Sequence, residues 1–228
     1  MTPQHRVVWQ ARKATVLLVD DHPIVRQGLT QLINQEPDLA VCGHAEDAAS
    51  AFHAIAVHRP DIVVLDISLN GPDGLTVLKE MRMNDPVLPV LVLSMHDESL
   101  YAERALRAGA NGYIMKQEAT ERVLEAIRRI RGGEVYVSDR IAKRLLRQVV
   151  SSPSAAGKSP MEALSDRELT VFRLIGEGRG TREIADDLHV SVKTVESYQA
   201  HIKEKLSLSN GRELVQHAIR WVTREDGV

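Results

Sequence analysis

Short apolar runs, each closed by a polar residue, recur through the first half of the chain. Thr15–Asp20 (TVLLVD), Ile62–Asp66 (IVVLD), Val90–Ser94 (VLVLS) and Gly112–Met115, followed by Lys116, are rich in β-branched residues. Runs of this length and composition predict strands buried on both faces. Leu39–Cys42 predicts one more, short strand. Between the runs the period becomes helical. Pro23 opens a segment with apolar residues at Ile24, Leu29, Leu32 and Ile33, and Pro37 stops it. Ala48–His58, Leu75–Met83, Ser99–Ala108 and Thr120–Arg131 follow, the last with Val123, Leu124, Ile127 and Ile130 on one face. Gly109 and Gly132-Gly133 close the last two. Five strands alternating with five helices predict an α/β fold: a doubly wound parallel sheet with right-handed crossovers and helices on both faces.

From Val135 the pattern changes. Asp139–Val150 predicts a basic amphipathic helix, and Ser151–Pro160 (SSPSAAGKSP) has the composition of a flexible linker. Everything beyond is helical. Ser165-Asp166-Arg167-Glu168 is a capping-box pattern ahead of Leu169, Val171, Phe172 and Ile175, and Gly176 and Gly178 end that helix. Thr181–Leu188 predicts a short second helix, His189 and Val190 a turn, and Ser191 the N-cap of a third, Val192–Leu206. Asn210-Gly211 precedes a fourth, Arg212–Val222. The expected organisation is a leader (1–13), an α/β domain (14–133), a helix and flexible linker (134–160) and an all-α, four-helix helix–turn–helix domain (161–228).

Composition narrows the function classes. The 228 residues are 43% apolar, enough for real cores, but only 4% aromatic, so aliphatic packing must dominate. A formal charge of −2 neither requires nor forbids nucleic acid, since a local patch can hide in a neutral total. The single cysteine, Cys42, has no partner for a disulfide or a Cys-based metal site, which fits a reducing compartment. No apolar run reaches spanning length, and the first residues carry no signal-peptide core, so a soluble cytoplasmic protein with no membrane partner is expected.

The strand ends carry the chemistry. Asp20 and Asp21 follow the first strand, Asp66 ends the third, Ser94 the fourth, and Lys116 follows the fifth. In a sheet of order 2-1-3-4-5, strands one and three meet at the switch point, where open α/β sheets bind ligands. Three carboxylates would converge there. Two such charges about 4 Å apart repel by roughly 4 kcal/mol at an effective dielectric near 20, so they gather around a cation. Hard oxygen donors suit Mg²⁺. With Lys116 as a second positive charge and Ser94 as a hydroxyl donor, the set suits a phosphoryl group, and an Asp carboxylate can itself be the nucleophile.

The stretches LLVDDHPIVRQGL, DIVVLDISLNGPDGL, VLVLSMHDE and AGANGYIMK resemble the receiver domain of bacterial two-component response regulators, over about residues 14–133. The resemblance implies that Asp66 accepts a phosphoryl group from a sensor histidine kinase. Asp21 would bind Mg²⁺ directly, Asp20 largely through water, and the Ser68 carbonyl would add a ligand beside Asp66. Ser94 would be the switch hydroxyl, Tyr113 the switch aromatic turning in from the surface, and Lys116 the phosphate partner. Two positions depart from the family pattern. Asn70 stands where proline is common, with Pro72 in place of a usual methionine, and Gln117 follows the lysine where proline is frequent.

The segment LSDRELTVFRLIGEGRGTREIADDLHVSVKTVESYQAHIKEKL resembles the LuxR-type DNA-binding domain that ends response regulators of the NarL/FixJ class, over about residues 161–226. Val192–Leu206 would be the recognition helix and Arg212–Val222 the helix through which such domains dimerise. The outward face of the third helix carries Lys193, Ser197, Ala200 and Glu204, flanked by Glu196 and His201. From Met161 on there are ten Lys and Arg against twelve Asp and Glu, so phosphate contacts must come from local donors. The expected DNA-contacting set is Arg179, Arg182, Lys193, Thr194, Glu196, Ser197, Ala200, His201, Lys203 and Lys205.

The combined expectation is a phosphorylation-switched transcription regulator, not an enzyme. Its partners would be a sensor histidine kinase, double-stranded DNA with a two-fold site, a second copy of itself on activation, and RNA polymerase. A rival is a phosphatase with an Asp nucleophile. Haloacid-dehalogenase-type enzymes want a second Asp two residues on, and Ser68 stands there. A third reading is an interaction module whose receiver is never phosphorylated.

Overall fold

The computed structural model describes residues 12–69, 74–95, 98–151, 160–188 and 190–225. The leader up to residue 11, Asn70, Pro72 and most of the expected linker lie outside them. The chain divides into two compact units, one up to Ser151 and one from Ser152.

The first unit is built on β1 (Ala14–Val19), β2 (Leu39–Ala45), β3 (Ile62–Asp66), β4 (Val90–Ser94) and β5 (Gly112–Met115). They form one parallel sheet in the order β2-β1-β3-β4-β5. The connecting helices are α1 (Pro23–Asn34), α2 (Ala48–His58), α3 (Gly74–Asn84), α4 (Glu98–Arg107) and α5 (Ala119–Arg131). β3 and β4 are buried at every position, as their unbroken apolar runs require. Val16, Leu18, Ile62, Val64, Leu91, Leu93 and Ile114 face one core, closed by Leu29 and Ile33 of α1 and Val123, Ala126, Ile127 and Ile130 of α5. The alternate residues, such as Leu17, Val63, Leu65 and Val92, are equally buried and face the other side.

Three details differ from the sequence expectation. Ile24 is 85% exposed, because it precedes the stripe that α1 turns inward. β2 runs on to Ala45, and it is bulged: Val16 pairs with Val41 but Leu17 pairs with Gly43, leaving Cys42 as the extra residue. The Asn34 side-chain oxygen accepts the Val41 N–H at 2.8 Å. The basic helix α6 (Asp139–Ser151) belongs to the first unit, with Ile141 buried beside α4.

The second unit holds α7 (Asp166–Gly176), α8 (Thr181–Asp187), α9 (Val192–Lys205) and α10 (Gly211–Glu225). Phe172, Ile175, Ile184, Val195, Ile202, Leu214 and Ala218 are its buried centre, and the Phe172 and Trp221 rings meet at 5.6 Å. A Cβ on Gly176 would lie 2.5 Å from the Ala218 carbonyl oxygen, so glycine there lets α7 and α10 approach closely. Ser191 N-caps α9 by accepting the Thr194 N–H. His189 of the expected turn lies outside the described residues.

Glu168 joins two of these helices. It completes the capping box of α7, accepting the Ser165 N–H at 2.7 Å, and the same oxygen receives the Lys205 ammonium at 2.7 Å. His201 Nδ1 lies 3.7 Å from its other oxygen. Burial alone would raise the Glu168 carboxyl, but Lys205 and Ser165 outweigh it and hold it below the ordinary range. A carboxyl depressed in the folded state stabilises above its unfolded pKa, and that contribution is lost as pH falls through the folded value. Glu168→Gln should therefore cost about 2–3 kcal/mol near neutral pH. Urea titrations of wild type and variant should converge in acid below the depressed folded value; a gap that persisted there would contradict the role.

Candidate phosphoacceptor site and recognition helix

The parallel order sets the acidic site. Val19 pairs with Leu65, so Asp20, just past β1, and Asp66, the last residue of β3, emerge side by side. Asp20 is 3% and Asp66 1% exposed. Lys116, just past β5, puts its ammonium 2.7 Å from Asp20 Oδ2 and 2.7 Å from Asp66 Oδ2. Asp66 Oδ1 accepts the Ser68 N–H at 2.8 Å, and Asp20 Oδ1 accepts the His22 N–H at 2.8 Å. Arg26 donates to the Asp20 carbonyl from the first turns of α1. Ser94 ends β4 between β3 and β5 and is fully buried.

Burial pushes the Asp66 carboxyl above its ordinary value; Lys116 opposes the shift and Asp20 adds to it. Burial lowers the Lys116 ammonium, but Asp66 and Asp20 more than offset this, so it is held charged. A protonated lysine facing a carboxylate that burial makes reactive suits attack on an electrophilic phosphorus.

The donor set fits a divalent cation. One ligand atom each from Asp20, Asp21, His22 and Asp66 lies within 4.8 Å of the others. Asp20 Oδ2 and Asp21 Oδ1 are buried, the first 2.7 Å from the Lys116 ammonium and the second 2.7 Å from His22 Nδ1. Clustered, buried carboxylate oxygens are suited to a hard ion. His22 was not among the expected site residues. Its ring Nδ1 lies 2.7 Å from Asp21 Oδ1 and 3.1 Å from Asp20 Oδ1, and it N-caps α1 without a side-chain capping bond. Its place directly after the Asp pair was the available signal.

The structure gathers Asp20, Asp21, Asp66 and Lys116, with Ser94 on the intervening strand. Ser68 follows β3, joined to Asp66 through its amide. Tyr113 differs from expectation: it is 2% exposed, already turned in and covered, and its N–H donates to Tyr136 O. In the second unit, Lys193, Glu196, Ser197 and Ala200 are exposed on α9, while Thr194 is half-buried at the Ser191 cap. Arg179 and Arg182 are exposed before and within α8, and Lys203 is half-buried. Lys205 and His201 face Glu168, at the end of α9 remote from that cap.

Both units match known protein families. Residues 16–128 match the response regulator receiver domain family, and residues 162–218 match the family of bacterial regulatory proteins of luxR type. The oxygen regulatory protein NreC of Staphylococcus epidermidis is 35% identical over 210 residues, covering 90% of this chain and 96% of that protein. NreC of Staphylococcus aureus is 36% identical over 209 residues, again covering 90% and 96%. A LuxR-family two-component response regulator from Aurantimonas sp. superposes with a TM-score of 0.56 at 37% identity, covering 61% of this chain and 99% of the other. RcsB from Salmonella enterica serovar Typhimurium, solved on promoter rprA with a beryllium fluoride phosphomimetic, gives 0.57 at 27% identity, covering 91% and 98%. No described helix is long and apolar enough to cross a membrane. With an acid pocket at the switch point of a 2-1-3-4-5 sheet and a capped helix–turn–helix later in the sequence, the chain is a two-component response regulator of the NarL/FixJ class, a receiver domain followed by a LuxR-type DNA-binding domain.

Proposed function

We propose that Asp66 is the phosphoacceptor of a Mg²⁺-dependent switch, and that its phosphorylation by a sensor histidine kinase raises DNA affinity by pairing two copies of the chain. The observation that carries the reading is the Lys116 ammonium held 2.7 Å from both Asp66 and Asp20. An Asp66 oxygen attacks the phosphorus of a phosphohistidine; the P–N bond breaks, an O–P bond forms, and the departing imidazole nitrogen takes a proton from solvent. Lys116 moves from the carboxylates onto a phosphoryl oxygen, and the Ser94 hydroxyl donates to another. Asp20, Asp21, Asp66 and the Ser68 carbonyl would hold Mg²⁺, which supplies positive charge to the transferring group. The receiver spans 14–133, with 134–151 packed on it, and the DNA-binding domain begins near Met161. A family of DNA-binding regulators fits a cytoplasmic location, with RNA polymerase as a downstream partner.

The DNA-facing set we favour is Lys193, Thr194, Glu196, Ser197 and Ala200 at the start of α9, with Arg179, Arg182 and Lys203 as phosphate donors. Lys205 and His201 act through Glu168, positioning α9. RcsB has been solved as dimers on DNA, which supports the two-fold reading here.

Incubation with acetyl phosphate or beryllium fluoride should modify the wild type only when Mg²⁺ is present, and EDTA should abolish the adduct. Asp66→Asn modified to the wild-type extent would sink the assignment. Asp21→Ala should weaken Mg²⁺ binding, measured by calorimetry, more than Asp20→Ala.

On DNA, Lys193→Ala should weaken binding evenly across sequences and flatten the log–log salt slope by about 0.9, one phosphate contact. Ala200 variants should instead change the preferred bases in a selection over random duplexes. The reverse pattern would mean that α9 lies differently on the groove. Light scattering should show dimers on addition of beryllium fluoride and Mg²⁺; a monomer with raised DNA affinity would refute the pairing mechanism.

A further inference from the structure

The segment after α5 stays on the receiver sheet. Tyr136 bridges Gly112 in parallel at the outer edge of β5: its N–H donates to Asn111 O at 2.9 Å, and its carbonyl accepts the Tyr113 N–H at 2.9 Å. A Cβ on Gly112 would sit 2.8 Å from the Tyr136 oxygen, so that edge is shaped for this backbone. Arg129 lies 5.4 Å over the Tyr136 ring, whose hydroxyl donates to Glu125 at 3.3 Å. α6 then turns back on α4. Ser138 and Arg140 both donate to Glu98 Oε1, at 2.8 and 3.2 Å, Arg144 donates to the Ser99 carbonyl at 2.8 Å, and Ile141 is 2% exposed.

These grips fall on the residues that the proposed switch would use. Glu98 and Ser99 open α4, four and five residues after Ser94. Tyr113 holds the strap through its own amide. The docked strap coexists with Lys116 seated on the Asp66 carboxylate, the position that a phosphoryl group contests. Hydrogen bonds weaken steeply beyond about 3.2 Å. A displacement of the start of α4 by roughly 1 Å away from α6 would therefore weaken the Glu98 and Ser99 contacts together.

We propose that residues 134–151 are the output relay of the receiver: their docking on α4 and β5 competes with the phosphorylated arrangement of Ser94 and α4, so phosphorylation loosens α6 from the receiver. This rests on the reading of Asp66 as phosphoacceptor. The coupling is reciprocal by linkage, so weakening the strap must favour the phosphorylated state by the same factor.

Hydrogen exchange of the full-length protein in Mg²⁺, with and without beryllium fluoride, tests the first half. α6 amides should exchange about 5-fold faster or more in the adduct. Fluorine NMR titration tests the second: Arg144→Ala, and Ser138→Ala with Arg144→Ala, should bind beryllium fluoride about 5-fold or more tightly than wild type. Circular dichroism melts identify a variant that fails to fold, and the exchange experiment on wild type then decides. An adduct that alters the β4–α4 junction but leaves α6 protection unchanged, or raises it, overturns the relay alone. Absence of any adduct at Asp66 overturns the phosphoacceptor reading, and the relay with it.

Discussion

The ammonium of Lys116 between Asp20 and Asp66 is the contact on which the receiver depends. Two carboxylates at 3% and 1% exposure cannot share a pocket without a counter-charge. Lys116 comes from β5, two strands and about 10 Å from β3. Its side chain has to cross the end of β4, where the residue is Ser94, small and fully buried. The two carboxylates and the lysine thus form one electrostatic unit, and the small serine leaves room for it. Removing the lysine leaves two buried carboxylates without their counter-charge. Because the lysine is held by charge and not by covalent constraint, it is also free to follow charge when the ligand at Asp66 changes.

Strands buried on both faces leave near-continuous apolar runs, which is why β1, β3, β4 and β5 were legible to within a residue. β2 was cut short because Gly43 and His44, ahead of its buried last residue Ala45, are partly or fully exposed and carry no β-branched signal. The acid trio and Lys116 were legible because the chemistry falls on strand ends. His22 was missed because a residue after an Asp pair reads first as a helix start. The helix within 134–151 was legible from its period, but its docking on the receiver was not. The grips on α4 and β5 reach residues about 25 to 45 positions away, and such contacts leave no period in the sequence.

The acid-rich count of the second unit is misleading for a similar reason. Glu168 is buried in the capping box of α7, Glu183 accepts the Gly180 N–H at 2.7 Å at the start of α8, and Glu213 accepts the Ser209 N–H at 2.7 Å before α10. Carboxylates that satisfy helix N-terminal amides are partly neutralised by them. The field that a phosphate backbone meets is accordingly less negative than the composition implies. Lys205, by contrast, is a basic residue whose charge is already matched.

A parallel five-stranded sheet has two raw edges, and each has its own blocking device here. At β2 the Cys42 bulge breaks the ladder and Asn34 occupies the Val41 amide. At β5 the Tyr136 backbone occupies the outer face of Gly112 and Tyr113. Each device interrupts its edge at one place, where a foreign strand would need the same amides and carbonyls. Growth by strand addition is disfavoured at both ends of the sheet, and the helices are the surfaces left for copies of the chain to meet through.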